Sequence, residues 1–232
     1  MNQRYKHLFF DLDHTLWDFE KSAMEAFREM VKIHQLEKLG IPQAEVFHRT
    51  YQEHNHRLWE KYRLGQIEKS ELMWKRFHLA LLEYGVNNKE LAIQLGNDYV
   101  RISPLKVNLF PHTMEILNYL QPKYALHLIT NGFKEVQEVK LKSSGMDRYF
   151  QHLITSEEAG VKKPAAGIFH FAFQKTGSRP EESLMIGDDY EVDILGAKNM
   201  GMDQVFFDPD RQATPNGSTY YIQDLMELKE IL

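Results

Sequence analysis

The sequence predicts an α/β fold, a doubly wound parallel sheet interrupted by an inserted all-helical unit. Residues 8–10 form a short, continuously apolar run, which is typical of a central strand buried on both faces. From residue 103 onward, strand-like and helix-like segments alternate, which favours parallel strands joined by helical crossovers. Between these regions the periodicity is helical. We therefore expect a core of residues 1–17 and 106–232 and a helical cap of residues 18–105.

The insertion divides into four predicted helices. Apolar residues recur at helical spacing in each segment, and Gly65 and Gly85 mark breaks between successive helices. Ser70 and Asn88 can cap the third and fourth helices, because their side-chain oxygens can accept free backbone N–H groups. The predicted segments are residues 22–31, 43–63, 71–84 and 89–101.

The core continues as alternating strands and helices. Short apolar runs predict the strands, and longer segments with helical spacing predict the helices. The predicted strands are residues 124–130, 153–154, 183–186, 204–207 and 219–222. The predicted helices are residues 111–120, 134–144, 168–176 and 192–200, with a last helix from residue 225.

Composition and charge exclude several classes of function. The 232 residues are 43% hydrophobic, enough for a sizeable core in one domain or in one domain with an insertion. The formal net charge is -5 and no basic cluster occurs, which argues against nucleic acid as a main partner. The absence of cysteine excludes disulfides and cysteine-bound zinc. No apolar run matches a signal peptide or membrane span, so we expect a cytoplasmic protein without a membrane partner. We also expect a monomer or a homodimer.

Two carboxylates follow the first strand directly. Asp11 lies at its carboxyl end, and Asp13 points to the same side because successive strand residues alternate between faces. In an open parallel sheet this edge is where ligands bind, since the loops that leave the strands diverge there. An isolated Asp-x-Asp fits a turn or a helix cap equally well, so the interpretation depends on the later strands.

Polar residues also follow two later strands. Thr130 presents a hydroxyl, and the turn at Asn131 and Gly132 leaves backbone N–H groups accessible to an anion. In isolation the same residues fit a helix cap and an ordinary turn. After the next strand, Lys162 and Lys163 precede a proline, and either lysine can be solvated or point into a site.

A second acidic cluster follows the strand at residues 183–186. Asp188 and Asp189 lie at its end, and either can instead cap the next helix. Together with the Asp pair, the threonine and a lysine, these carboxylates suit a phosphate ester and a divalent cation. Two like charges ~4 Å apart repel by about 4 kcal/mol at an effective dielectric near 20, and one lysine cannot neutralise three carboxylates and a phosphate dianion. Because carboxylate and backbone carbonyl oxygens suit Mg²⁺, we expect Mg²⁺ as the cofactor.

These segments resemble the four signature regions of the haloacid dehalogenase superfamily, whose core is Rossmann-like. Residues 11–15 match its Asp-x-Asp-x-Thr motif. The resemblance implies that Asp11 is the nucleophile, which forms an aspartyl-phosphate, and that Asp13 is the acid/base. It also implies that Asp11, Asp13 and Asp188 are the magnesium ligands.

The resemblance assigns the remaining site residues as well. It implies that Thr130, Asn131 and Lys163 bind phosphate and that Asp189 or Asp193 supports the metal site. The inserted helices lie where capped members of the superfamily carry a cap domain. Such a cap would close over the site and exclude bulk water, as in other lidded enzymes.

Asp13, the second aspartate of the motif, reduces the number of activities that the resemblance allows. Superfamily members that cleave carbon–halogen bonds or pump ions lack an Asp at the position of Asp13, which favours a phosphatase or a phosphomutase. Four segments look most like the capped branch that contains 5'-nucleotidases acting on pyrimidine and non-standard nucleoside monophosphates. These segments are residues 129–133, 156–164, 187–189 and 193–196.

The substrate class has several candidates. We expect a small-molecule phosphate monoester, in the first place a nucleotide, with a sugar-phosphate phosphatase or a phosphomutase as the alternative. Trp17, Phe19 and Phe133 can stack on a nucleobase, although aromatic residues more often belong to the core. A non-enzymatic module switched by aspartyl phosphorylation fits the sheet but does not fit the order of the motifs.

Overall fold

The chain forms two compact units. The computed structural model describes residues 4–41, 43–211 and 217–232. One unit consists of Met1–Phe19 and Val107–Leu232, and the other consists of Glu20–Lys106. In the described residues, the first unit contains a sheet with helices and the second contains helices without a strand.

The predicted helices of the insertion are all present. They are α1 (Phe19–Ile33), α2 (Ala44–Arg63), α3 (Lys69–Leu82) and α4 (Lys89–Ile102). Asn88 caps α4 as predicted, because its side chain accepts the N–H of Leu91 at 3.0 Å. The cap predicted at Ser70 is wrong, since α3 begins at Lys69, two residues before its predicted start, and Ser70 lies in its first turn.

Aromatic residues form the centre of the helical unit. The ring of Phe27 packs against Tyr51 and Phe77, with centroids 4.8 and 5.9 Å apart. Arg76 is only 2% exposed, and its guanidinium lies 5.2–5.7 Å from the ring centroids of Tyr51, Phe77 and Tyr99. Cation–π contacts of this kind partly replace the water that a buried arginine loses. The helical unit therefore has a core of its own.

The other unit is built on a parallel sheet, which has six strands within the described residues. The strands are β1 (His7–Phe10), β2 (Ala125–Thr130), β3 (His152–Thr155), β4 (Ser183–Gly187), β5 (Asp203–Phe207) and β6 (Tyr220–Ile222). Their spatial order is β3-β2-β1-β4-β5-β6, and all neighbouring pairs are parallel. The strand β1 lies between β2 and β4, as the continuously apolar run predicts for a central strand.

Helices cover both faces of this sheet. They are α5 (Thr113–Leu120), α6 (Lys134–Ser144), α7 (Ser156–Ala159), α8 (Ala166–Thr176), α9 (Gly196–Lys198) and α10 (Leu228–Ile231). Leu8 and Phe10 pack on one face with Ile116 of α5, whereas Phe9 packs on the other face with Ile168 of α8. The predicted doubly wound sheet is therefore confirmed.

Across the described helices of both units, no segment has the length and apolar character needed to cross a membrane.

The segment after β4 differs from the helix predicted at residues 192–200. A π-helical turn, Tyr190–Leu195, leads into the short helix α9. The side chain of Asp189 accepts the N–H of Val192 at 3.0 Å. Its main-chain carbonyl accepts the N–H of Ile194, five residues later, at 3.3 Å, which is the π-helical spacing, and also that of Asp193 at 2.8 Å. Single π-helical turns are frequent at functional sites, and this one directs Asp193 back toward the sheet edge.

Candidate active site

The carboxyl ends of three adjacent strands bring most of the predicted residues together. Asp11 follows β1, Thr130 ends β2 and Asp188 follows β4. These strands lie side by side in the order β2-β1-β4, so their carboxyl ends share one edge of the sheet. Asp11 and Thr130 are both buried. The edge is therefore a protected site lined with polar groups.

Lys163 joins two carboxylates at this edge. Its Nζ donates to Asp11 and to Asp193, each at 2.6 Å, and the side chain is 2% exposed. Asn131 fixes the lysine backbone, because its side chain accepts the N–H of Lys163 at 2.8 Å and donates to its carbonyl at 3.0 Å. The structure thus places Lys163 in the site. The side-chain amide of Asn131 holds the lysine here, and a phosphate contact of Asn131 stays a prediction.

Three carboxylates form a candidate metal site. Asp11, Asp188 and Asp193 each present an oxygen within 4.8 Å of the others. Thr15, the last residue of the Asp-x-Asp-x-Thr motif, donates to Asp188 at 2.9 Å. Asp189 is directed elsewhere, since its side chain accepts backbone N–H groups of the π-helical turn. Of the two carboxylates predicted to support the site, the structure brings Asp193 to it and uses Asp189 as a cap.

The charges of this group fit a divalent cation. Burial raises the pKa of Asp11 to about 7, with Lys163 opposing the rise and Asp193 adding to it. Burial and the neighbouring carboxylates also raise the pKa of Asp188 well above its usual value. Burial alone would lower the pKa of Lys163, but Asp11 and Asp193 outweigh it and raise that pKa. One cation therefore faces three carboxylates, an arrangement of hard oxygen ligands that suits Mg²⁺.

The carboxylate of Asp13 points to helix α6 instead. One oxygen pairs with Nζ of Lys140, and the other accepts a hydrogen bond from Nε2 of Gln137 at 2.9 Å. Burial would raise the pKa of Asp13, but the charge of Lys140 and these two hydrogen bonds outweigh burial and lower it. The side chain of Asp13 does not belong to the group of three carboxylates. The structure therefore does not bring the side chain of Asp13 to the candidate metal site, and its role as a metal ligand stays a prediction.

The sequence-based prediction missed Lys140 and Gln137. Both belong to α6, which begins shortly after Thr130, and residues three apart share one face of a helix. Gln137 also donates to Oγ1 of Thr130 at 2.9 Å. A partner for Asp13 could have been sought on the helix that follows the turn at Asn131 and Gly132, because a largely buried carboxylate needs a hydrogen-bond donor.

Two of the three aromatic residues proposed to stack on a base are enclosed by protein. Trp17 has no exposed surface and Phe133 is 4% exposed. The stacking proposal is therefore wrong for Trp17 and Phe133, because neither ring offers a free face. Phe19 is partly exposed, and its ring centroid lies 5.0 Å from that of His14. Stacking by Phe19 stays a prediction.

Mg²⁺ is expected to raise Tm more at pH 8 than at pH 5.5. The pKa of Asp11 is about 7 in the folded chain against a usual 3.8, so the folded state binds a proton that the unfolded state has released. Protonation of Asp11 therefore contributes fully to the stability of the folded state below pH 4. This contribution is lost as the pH rises through 7. Mg²⁺ at 100 times its Kd restores about 2.7 kcal/mol, or roughly 5–10 °C for a chain of this size.

Thermal unfolding with Mg²⁺ and with EDTA over this pH range measures the effect. In the variant Asp188→Asn the Mg²⁺-dependent rise in Tm should largely disappear, because a carboxylate of the candidate metal site has lost its charge. A rise in Tm of the same size at every pH, or one that survives in Asp188→Asn, would contradict binding at this site.

Comparison with known proteins agrees with this architecture. A family model described as haloacid dehalogenase-like hydrolase matches residues 5–201. The solved structure of the HAD-hydrolase YfnB from Bacillus subtilis, described as bound to magnesium, aligns with a TM-score of 0.87 at 30% sequence identity. The alignment covers 99% of each chain, so the similarity includes both units.

Two curated relatives have phosphatase names. The pyrimidine 5'-nucleotidase YjjG of Escherichia coli is 32% identical over 234 residues, which are 99% of this chain and 98% of that protein. The glyceraldehyde 3-phosphate phosphatase of Methanothermobacter thermautotrophicus is 31% identical over 238 residues, 98% of this chain and 99% of that protein. Relatives of nearly equal similarity thus differ in the named substrate.

Proposed function

This chain belongs to the haloacid dehalogenase-like hydrolases, and we propose that it is a magnesium-dependent phosphomonoester hydrolase that acts on nucleoside 5'-monophosphates. One observation carries the proposal. The two aspartates at the end of β1 have different partners, since Asp11 pairs with Lys163 and Asp13 pairs with Lys140. Carboxylates held in separate environments can take separate roles, here nucleophile and acid/base.

The surroundings of Asp11 support the nucleophilic role. Attack of its carboxylate oxygen on phosphorus forms an aspartyl-phosphate and breaks the bond to the ester oxygen. Attack requires that the negative charges of both groups are offset, and Lys163 supplies a positive charge at 2.6 Å. The oxygen of Thr130 accepts hydrogen bonds from Gly132 and Gln137, so its own proton can be donated to a phosphoryl oxygen.

Asp13 would carry the proton in both halves of the reaction. In its protonated form it gives the proton to the leaving ester oxygen, which departs as an alcohol. Its carboxylate then takes a proton from the water that attacks the aspartyl-phosphate, which releases phosphate and regenerates Asp11. An incoming phosphate dianion adds negative charge beside Asp13 and so favours the protonated form that the first step needs.

The metal would be held by Asp11 and Asp188, two of the three carboxylates that lie together at the sheet edge. When bound, Mg²⁺ supplies positive charge that offsets the phosphate and the attacking carboxylate. Asp193 has a different task, because its 2.6 Å ion pair keeps Lys163 directed at Asp11. The four carboxylates at this sheet edge, Asp11, Asp13, Asp188 and Asp193, would thus not all perform the same task.

Two observations favour nucleotides over sugar phosphates as the proposed substrate class. Segments 129–133 and 156–164 look like the nucleotidase branch of the superfamily. The relative YjjG, at 32% identity, is named a pyrimidine 5'-nucleotidase. A sugar phosphate is the second candidate, since a relative at 31% identity is named a glyceraldehyde 3-phosphate phosphatase.

Phosphate release from a panel of nucleoside and sugar monophosphates, with Mg²⁺ and with EDTA, tests the proposal. We expect release that requires Mg²⁺ and falls by at least about 10⁴-fold in Asp11→Asn, because an amide is a poor nucleophile. The exposed Asp147 gives the matched control, since Asp147→Asn should keep full activity. The ranking of substrates shows whether a base or a sugar is recognised.

Two results would contradict the proposal. Absence of phosphate release from every panel member would rule out the hydrolase. Conversion of a sugar phosphate into an isomer, with a requirement for a bisphosphate activator and little free phosphate, would identify a phosphomutase that uses the same pair of aspartates.

A further inference from the structure

We propose that Lys140 and Gln137 of α6 are positioning residues that hold Asp13 in one orientation for proton transfer to the leaving group. The inference rests on the proposed phosphatase function and adds two residues to it. Both residues act through Asp13, and the structure gives each of them a separate anchor.

The carboxylate of Asp13 is held at both oxygens. Lys140 pairs with Oδ1 and Gln137 donates to Oδ2, so rotation of the carboxylate would break at least one contact. The side chain of Asp13 is 23% exposed, while that of Lys140 is 4% exposed. The two donors thus hold a partly accessible carboxylate from its buried side and leave the accessible side for substrate.

Gln137 links Asp13 to the phosphate-binding strand end. Its Nε2 donates to Asp13 and to Thr130, each at 2.9 Å, and the residue is completely buried. Its Oε1 has no hydrogen-bond partner within the described part of the chain, so the two donated bonds determine the orientation of the amide. A Cβ at Gly132 would lie 2.0 Å from Nε2, so a larger residue at this position would displace the Gln137 amide.

Lys140 is anchored by aromatic rings. Its Nζ lies 5.4 Å from the ring centroid of Trp17 and 5.4 Å from that of Phe19, a distance at which a cation is attracted to a ring. Among the residues that the structure describes, Asp13 is the carboxylate with which this buried ammonium pairs. The two rings therefore fix the position of the Lys140 ammonium, and the ammonium fixes the orientation of the Asp13 carboxylate.

This arrangement matters most when the leaving group needs a proton. An alkyl ester, such as a nucleoside or sugar phosphate, must be protonated at its leaving oxygen as the bond to phosphorus breaks. A p-nitrophenyl ester leaves as a stable phenolate and needs no proton. Because a misplacement of about 1 Å can reduce a rate by about 100-fold, loss of the positioning contacts should affect the alkyl ester more.

The test compares kcat/KM for the best alkyl ester of the panel with kcat/KM for p-nitrophenyl phosphate, because kcat/KM reports the formation of the aspartyl-phosphate and not its later hydrolysis, which both esters share. In Lys140→Met the ratio of alkyl to aryl kcat/KM should fall by about 10- to 100-fold. Lys140→Arg keeps the charge and should recover most of the ratio. Gln137→Met removes the second contact and should lower the same ratio. Lys142→Met, an exposed lysine on the same helix, is the matched control and should change neither rate.

The outcomes separate this inference from the proposed function. Equal losses on both esters in Lys140→Met and Gln137→Met would indicate a merely structural role and would overturn the inference. An unchanged ratio in both variants would overturn it as well, while the phosphatase would stand. Failure of the unmodified protein to hydrolyse either ester would instead refute the proposed function. If Lys140→Met does not fold, Gln137→Met and Lys140→Arg decide the question.

Discussion

Replacement of Lys163 by methionine is expected to cost about 3–5 kcal/mol of stability, or roughly 6–20 °C in Tm, and to abolish phosphate release. Lys163 is buried and lies 2.6 Å from both Asp11 and Asp193. Its removal leaves two buried carboxylates without their counter-ion, and the proposed nucleophile loses the positive charge that its attack requires.

The stability loss should grow with pH. Burial already raises the pKa values of Asp11 and Asp193, and Lys163 opposes both rises. Without the lysine both pKa values increase further, so the folded state retains protons that the unfolded state releases above pH 4. Stability from these protonated carboxyls is present at low pH and lost as the pH rises through the folded-state pKa values. Tm should therefore fall more at pH 8 than at pH 5.5.

Thermal unfolding of three variants measures this effect. The exposed Lys142→Met should change stability by only about 0.5 kcal/mol, as for most surface substitutions. Adding Asp193→Asn to Lys163→Met should recover part of the stability, because one unpaired carboxylate is removed, but should not recover activity. If Lys163→Met and Lys142→Met unfolded at the same temperature at every pH, the ion pairs of Lys163 with Asp11 and Asp193 would not contribute to stability.

Replacement of Asp13 by asparagine is expected to lower kcat on alkyl phosphates by about 10²- to 10⁴-fold while the fold stays intact. Asparagine keeps the size of the side chain and one acceptor oxygen, but it can neither donate the carboxyl proton nor take one from water. The loss of stability should be smaller than for Lys163→Met, because the Asp13 side chain is 23% exposed.

Rapid mixing with p-nitrophenyl phosphate distinguishes the two steps in Asp13→Asn. The first step needs no proton for this ester, so the variant should release one p-nitrophenolate per active site and then stall as the aspartyl-phosphate. Asp11→Asn should show no such burst, because the phosphoenzyme cannot form. Full turnover in Asp13→Asn would show that Asp13 is not the acid/base.

The sheet and its polar edge were predictable because they depend on local patterns. A strand buried on both faces must be apolar throughout, and Phe9 and Phe10 indeed pack on opposite faces. Since parallel strands end at one edge, residues that follow them in sequence meet in space, as Asp11, Thr130 and Asp188 do. Their closeness also requires that β2, β1 and β4 are neighbours in the sheet, and the sequence pattern does not specify this strand order.

Side-chain partners within the site were not predictable in the same way. Asp189 and Asp193 lie four residues apart, and only the π-helical turn decides that the first caps the turn and the second reaches Lys163. Lys140 lies in a segment rich in lysine and glutamate, which is typical of a solvent-facing helix surface. Its burial depends on Trp17, which comes from a distant part of the sequence.

The central place of β1 also affects how the chain is made. His7 pairs with Ala125 on one side and with Ser183 on the other, so the strand is synthesised long before either neighbour. At about 5–20 residues per second, a ribosome needs roughly 10–35 s to proceed from His7 to Ser183. The residues of the helical unit, Glu20–Lys106, are all synthesised within that interval and can fold first. The nascent chain therefore carries an unpaired apolar strand for many seconds, and this is the period in which chaperones would protect it from aggregation.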